Sequence, residues 1–224
     1  MSASETRLVE THYKGVYWDG EHLLTRNQAP GDRVYGERLF SAEGIEYREW
    51  VPSRSKLGAY LRLGGQHYPF RETSKVLYLG AASGTTASHV ADIVSQGTVF
   101  CVEISQRSFR DLVSVCEARK NMVPLLGDAT KPADYKFMVD RVDIVYQDIA
   151  QKQQASIFAR NFREFQASSG LLSLKARSED SSRDPPEIFR EAEAQLKKEG
   201  LRVIEAVSLE PFEKDHAMIA AERA

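Results

Sequence analysis

The sequence predicts an α/β fold: a mostly parallel sheet with helices on both faces, preceded by a small antiparallel β unit. Three observations carry this. From Lys75 onward, short and nearly continuous apolar runs alternate with amphipathic segments, the pattern of buried strands joined by crossover helices. The first run, Val76–Leu79, breaks into Gly80-Ala81-Ala82-Ser83-Gly84 and resumes at Thr85–Ser95, with Val90, Ile93 and Val94 on one face. Strand, tight small-residue turn and helix start, in that order, bring backbone N–H groups to a nucleotide-like ligand. Residues 1–70, by contrast, show turn pairs between short strand-like runs.

In chain order, Asp19-Gly20 between Val16-Tyr17-Trp18 and Leu23-Leu24 is a hairpin signal. Pro30-Gly31 marks a second turn, and Arg33–Phe40 and Glu46–Val51 supply further strand-like residues around Glu43-Gly44. A helix is expected over Ser55–Leu63, stopped by Gly64-Gly65. Thr98–Ile104 reads as the second buried strand, and Arg107–Arg119 as a helix with Leu112, Val113, Val115 and Cys116 inward. Val123–Leu126 is the third strand and leads into Gly127-Asp128-Ala129. Val142–Ile149 is the fourth, followed by a helix over Gln153–Phe165, and Leu171–Ala176 is the fifth. Pro185–Lys198 is a charged helix that Gly200 stops; Leu201–Leu209 and His216–Glu222 close the sheet. The expected division is 1–70, a small β domain with a linking helix, and 71–224, the α/β domain.

Composition bounds the function. The apolar fraction is 42% in 224 residues, enough for a sizeable core. No apolar run approaches the ~20 residues that span a bilayer, and Met1–Glu5 lacks a signal-peptide pattern, so a cytoplasmic protein without membrane association is expected. A formal charge of −2 argues against an independent, non-specific nucleic-acid binder, but not against an enzyme that meets RNA through a local patch or a partner. Cys101 and Cys116, on a buried strand and a helix, read as two buried thiols and not as a disulfide or metal pair, and no metal site is expected.

In such a sheet the ligand lies beyond the carboxyl ends of the strands. There stand the turn residues Gly80, Ala81, Ser83 and Gly84, the hydroxyls of Thr85 and Thr86, then Glu103, Asp128-Ala129, Asp148 and Lys175. Glu103, 23 residues beyond Gly80, suits both hydroxyls of a ribose; its bland alternative is a cap on the next helix. Asp128 reads otherwise as a turn residue before Pro132. Asp148 sits among Ile144, Val145 and Ile149, where a carboxylate needs a partner, and Lys175 on the adjacent strand is the partner expected. The turn lacks the middle glycine of Gly-x-Gly-x-x-Gly, which admits a pyrophosphate. Adenosine without phosphates and with a charged tail remains, which describes S-adenosylmethionine.

Arg54-Ser55-Lys56-Leu57, the run Leu77 to Thr86, Val102-Glu103, Gly127-Asp128-Ala129, Asp148-Ile149-Ala150-Gln151, Lys175-Ala176-Arg177-Ser178 and Leu209 to Ala217 follow in order along nearly the whole chain. In these runs the sequence resembles the fibrillarin family, in its archaeal form of fibrillarin-like rRNA/tRNA 2′-O-methyltransferases. It departs from the family at Val51-Pro52-Ser53, where Asn-Pro and an aromatic residue are usual, and at Gln147, where a smaller or acidic residue is usual.

The resemblance implies a Rossmann-like S-adenosylmethionine-dependent methyltransferase fold, a seven-stranded sheet with its last strand antiparallel. It implies cofactor contacts at Thr85, Thr86, Glu103, Ile104, Asp128, Ala129, Asp148 and Gln151, and a catalytic set of Lys56, Asp148, Lys175 and His216. The implied partners are a Nop-domain scaffold protein, a kink-turn RNA-binding protein, a box C/D guide RNA and the target rRNA or tRNA. The expected activity is guide-directed 2′-O-methylation of ribose. Lys175 is the candidate base, although a lysine ordinarily titrates near ~10.4 and base chemistry needs that value lowered. His216 is expected to hold the ribose or phosphate side. Arg54, Lys56, Lys152, Lys175, Arg177 and Lys214 are expected to gather on the active-site face as a basic patch for RNA, with Arg54 and Arg177 foremost. Two rivals share the fold: a methyltransferase acting on a protein glutamine, and a non-catalytic assembly subunit.

Overall fold

The computed structural model describes residues 8–224; Met1–Glu5, read above for a targeting segment, lies outside them. The chain opens with β1 (Val9–Glu10), β2 (Val16–Trp18), β3 (Leu23–Arg26), β4 (Leu39–Ala42) and β5 (Ile45–Glu49). They form one antiparallel sheet in the order β1-β2-β3-β5-β4. Asp19-Gly20 closes the β2–β3 hairpin, with Trp18 opposite Leu23. Glu43 and Gly44, at φ 51° and 76°, supply the left-handed pair that a two-residue turn between β4 and β5 requires. The expected strand over Arg33–Phe40 is corrected: β4 starts only at Leu39. The Glu37 carboxylate turns back to accept the Val34 and Tyr35 amides, which gives them partners other than a ladder.

Helix α1 (Lys56–Arg62) follows, capped by Ser55, whose Oγ accepts the Gly58 amide at 3.1 Å, and left through Gly64 at φ 82°. Then come β6 (Lys75–Leu79), α2 (Thr85–Ile93), β7 (Thr98–Glu103), α3 (Gln106–Ala118), β8 (Met122–Leu126) and β9 (Ile144–Gln147). The chain continues through α4 (Gln154–Glu164), β10 (Ser169–Lys175), α5 (Ala176–Glu179), α6 (Pro185–Lys198), β11 (Leu201–Ser208) and β12 (His216–Arg223). The seven strands order as β11-β12-β10-β9-β6-β7-β8, with β6–β10 parallel and β12 antiparallel to β10. From β6 the chain runs outward through β7 and β8, then returns to the other side of β6 as β9. Between β6 and β9 lies the switch point at which an open α/β sheet admits a ligand.

Side chains alternate to two cores. Leu77, Leu79, Val145 and Leu172 meet Phe158, Phe162, Ile188 and Leu196 of α4 and α6. On the other face, Tyr78, Cys101, Tyr146 and Met218 share a core with Val90 and Ile93 of α2 and with Tyr13, Val16, Leu23, Trp50 and Leu57. That hydrophobic core therefore runs across position 70. A buried polar network crosses with it: Arg48 meets Glu37 at 2.7 Å and Asp92 at 2.8 Å, and Arg119 meets Asp92 at 3.5 Å. His89 lies 2.8 Å from Thr25 Oγ1 and 2.8 Å from Tyr35 Oη, stacked on Trp50. Cys101 and Cys116 are free and buried.

Candidate active site

The turn after β6 alternates into left-handed backbone three times, at Gly80 (φ 81°), Ala82 (φ 49°) and Gly84 (φ 91°). It is pinned to both neighbouring strands: the Gly80 and Ala81 amides donate to Val102 O, and Asp148 N donates to Leu79 O at 2.9 Å. A Cβ on Gly80 would lie 2.2 Å from the Asp148 carbonyl oxygen, so only glycine lets the ends of β6 and β9 approach this closely. Gly84 then hands the chain to α2, whose first amides have no intrahelical acceptor.

Beyond the turn opens a cleft of about 270 Å³, walled by Gly80, Ala82, Glu103, Ile104, Asp128 and Ala129 on one side and by Asp148, Ile149 and Gln151 on the other. Glu103 takes up the helix-start reading given to it. One carboxylate oxygen accepts the Ala82 amide at 2.8 Å and the other the Ser105 amide at 2.7 Å, so it ties the turn to the start of α3. Each oxygen keeps a second lone pair for a ligand hydroxyl. Burial pushes the Asp128 carboxyl up, but hydrogen bonds from Thr130 and the charge of Lys131 outweigh it and leave it below the usual range. Ile104, 63% exposed, offers an apolar side chain to a base. Ala81, Ser83, Gly84, Thr85 and Thr86 stand beside this wall and not in it. The Thr86 hydroxyl donates to Ser55 Oγ at 2.9 Å.

Four polar side chains gather at the mouth. Lys56, the first residue of α1, places Nζ 2.9 Å from Asp148 Oδ2, each side chain about one-fifth exposed (22% and 21%). The expected Asp148–Lys175 pair is corrected. Gln147 aligns with Leu172, so Asp148 stands level with Ser173, two residues short of Lys175, while Lys56 reaches Asp148 directly. Lys175 instead faces His216 across the β10–β12 ladder. His216 is buried, with Nδ1 2.7 Å from Lys214 O. Burial pushes its imidazole below the ordinary value, outweighing the opposing pull of the Lys214 carbonyl, Glu213 and Asp148, and the charge of Lys56 acts in the same direction as burial.

Sequence reasoning missed Gln154. Its side-chain amide accepts from Lys175 N at 3.0 Å and donates to Lys175 O at 3.0 Å, taking the place of a neighbouring strand where β10 outruns β9. Gln147, the departure without an evident role in the sequence, donates to Gln154 O at 2.8 Å and so steadies this clamp. Outside the mouth, the exposed Arg54 guanidinium lies over the Tyr35 ring at 5.9 Å, and Arg177 pairs with Asp215 at 2.9 Å. Lys152 and Lys214 are exposed.

The cleft wall carries three carboxylates and no lysine or arginine. A pyrophosphate has no counter-charge there, whereas a nucleoside with a cationic tail does. The class that fold and cleft define together is the Rossmann-like methyltransferase, whose cofactor S-adenosylmethionine is such a nucleoside. Within that class, the Fibrillarin family model matches residues 8–224, and the chain belongs to the fibrillarin family. A fibrillarin-like rRNA/tRNA 2′-O-methyltransferase of Methanopyrus kandleri is 48% identical over 224 residues, 96% of this chain and 97% of that one. Aeropyrum pernix fibrillarin, solved with natively bound S-adenosyl-L-methionine, is similar at a TM-score of 0.87 and 43% identity, covering 96% of this chain and 99% of that one. The fibrillarin of a fibrillarin/Nop5p complex is similar at 0.86 and 40% identity, covering 94% and 98%.

Proposed function

We propose that the protein methylates ribose 2′-hydroxyls of rRNA, and of tRNA, as the catalytic subunit of a box C/D ribonucleoprotein in which a guide RNA selects the nucleotide. The observation that carries the reading is the meeting of the Lys56–Asp148 pair and the Lys175–His216 pair at the mouth of a carboxylate-walled cleft. When bound, S-adenosylmethionine supplies a methyl group already activated by its sulfonium charge. The chain's own work is therefore positioning, charge compensation and proton removal. Glu103 receives the cofactor's ribose hydroxyls, Asp128 its amine edge, and Ile104 and Ala129 the base faces. Asp148, fixed by Lys56, places a carboxylate toward the cationic end, and Lys175 presents an ammonium to the target oxygen as its charge develops.

RNA affinity comes chiefly from partners. A chain of net charge −2, whose exposed cations near the mouth are Arg54, Lys152, Arg177 and Lys214, cannot neutralise many phosphates. Likeness to the fibrillarin of a Nop5p complex supports a Nop-domain scaffold as the docking partner; a kink-turn RNA-binding protein and the guide complete the proposed particle. The test is transfer of labelled methyl to a defined RNA. Transfer to the guided nucleotide is expected only when scaffold, kink-turn protein and guide are all added. Efficient site-specific methylation by the isolated chain, or label on protein in place of RNA, overturns the reading.

A further inference from the structure

The four polar groups at the mouth differ in what they have left to offer. Asp148 already spends one oxygen on Lys56. Lys175, as an ammonium, has three donors and no acceptor, and its side chain enters no hydrogen bond or ion pair among the described residues. His216 is arranged otherwise. Its Nδ1 lies 2.7 Å from the Lys214 carbonyl oxygen, which only accepts, so Nδ1 carries the hydrogen and Nε2 of the neutral ring keeps its lone pair. Nε2 makes no hydrogen bond among the described residues. The backbone that presents the ring is held: Asp215 takes a left-handed φ of 58°, its carboxylate pairs with Arg177, and its carbonyl accepts the Ala176 amide at 3.0 Å.

Resting on the methyl-transfer reading above, we propose that His216 Nε2, and not Lys175, takes the proton of the ribose 2′-hydroxyl. His216 and Lys175 are directly opposed in the β10–β12 ladder, so their Cβ atoms are about 5 Å apart on one sheet face and both side chains reach one hydroxyl. The 2′-oxygen forms its bond to the methyl carbon as the carbon–sulfur bond breaks, and sulfur keeps that electron pair. The hydroxyl proton passes to Nε2, so one positive charge leaves sulfur as another appears on the imidazole. The groups facing this ring are Lys56 from α1, Asp148 beyond β9, Lys175 from β10, and Glu213 and Lys214 from the loop before β12. Burial and Lys56 keep the ring neutral, and therefore basic, before reaction; the Glu213 carboxylate, 4.0 Å from Nδ1, then stabilises the imidazolium. Lys175 is left to hold the 2′-oxygen.

Two measurements test this. Nitrogen-15 NMR of the isolated protein should show His216 as the Nδ1–H tautomer, titrating below ~6.5; an Nε2–H tautomer overturns the proposal. In the reconstituted particle, the single-turnover rate should rise with pH along a limb centred below the ordinary imidazole value of ~6.5 and then level off. His216→Gln should lose that limb and ~10²–10⁴ of the rate, whereas Lys175→Arg, still a cation but no base, should keep the limb. A rate that climbs on beyond about pH 8 and is unchanged in His216→Gln overturns it. A wild-type particle that transfers no methyl would refute the guided-methylation reading alone, since the tautomer is read without turnover.

Discussion

Thr86 is the second residue of α2, beside the cofactor turn, yet its hydroxyl points to the helix that carries Lys56. Ser55 Oγ receives Thr86 Oγ1 at 2.9 Å and the Gly58 amide at 3.1 Å, and Ser55 caps the helix whose first residue is Lys56. One buried hydrogen bond thus fixes the cofactor turn relative to the lysine that holds Asp148. Thr86→Val keeps the shape and deletes the donor. A bond worth ~1 kcal/mol predicts a roughly fivefold fall in turnover with cofactor affinity nearly unchanged, and recovery in Thr86→Ser. Calorimetry beside single-turnover rates decides it: weakened affinity at normal turnover would mean that Thr86 serves the cofactor directly. Glu103, Asp128, Asp148 and Lys175 were readable from the sequence because a polar residue ending an apolar run announces itself. The Thr86–Ser55 bond and the Gln154 clamp on Lys175 were not, because their partners lie 31 and 21 residues away and meet only through the packing of whole elements.

Helix α1 is anchored at both ends, and its far anchor comes from the last strands. A bulge in β11 between Val203 and Glu205 turns the Glu205 carboxylate inward. There it accepts the Gln66 amide at 2.8 Å, the His67 amide at 2.6 Å and the Tyr60 hydroxyl. Burial, with the Glu205 charge behind it, pushes the Tyr60 phenol far above its ordinary value, so this phenol stays a donor. Glu205→Ala leaves three donors without their acceptor and should lower stability by about 2 kcal/mol, whereas Glu205→Gln should recover most of it. Urea unfolding of the two variants measures this, and equal losses would show that the carboxylate charge itself is needed. At this scale the sequence read well where periodicity speaks: α6 spans Pro185–Lys198 as expected, and the five parallel strands fall within a few residues of their predicted bounds. It failed at Arg33–Glu37, where a side chain redirects the backbone, and it did not reach the bulge inside β11 or the two residues of β1, which carry no period.

The two sheets share one hydrophobic core, in which Val76 and Tyr78 of β6 pack with Val16, Leu23 and Trp50 of the amino-terminal part. Arg48 of β5 and Asp92 of α2 meet at 2.8 Å with both side chains fully buried, and removal of either partner would strand a charge in the core. Trp18 and Trp50 both belong to the amino-terminal part, so tryptophan fluorescence reports that part while far-ultraviolet circular dichroism reports mainly α2–α6. Coincident transitions by the two probes are expected; separated ones would mean that the shared core does not couple the sheets. His89 adds a sign. Burial, with Arg48 and Arg119 nearby, pushes its imidazole well below the ordinary value, so the unfolded chain takes up this proton first. The contribution is intact above about pH 6.5 and is lost as the pH falls, at up to ~1.4 kcal/mol per pH unit. His89→Gln cannot titrate. Between about pH 7 and pH 5 the stability of the wild type should therefore drop more steeply than that of the variant, and parallel curves would remove His89 as the acid-sensitive element of the inter-sheet contact.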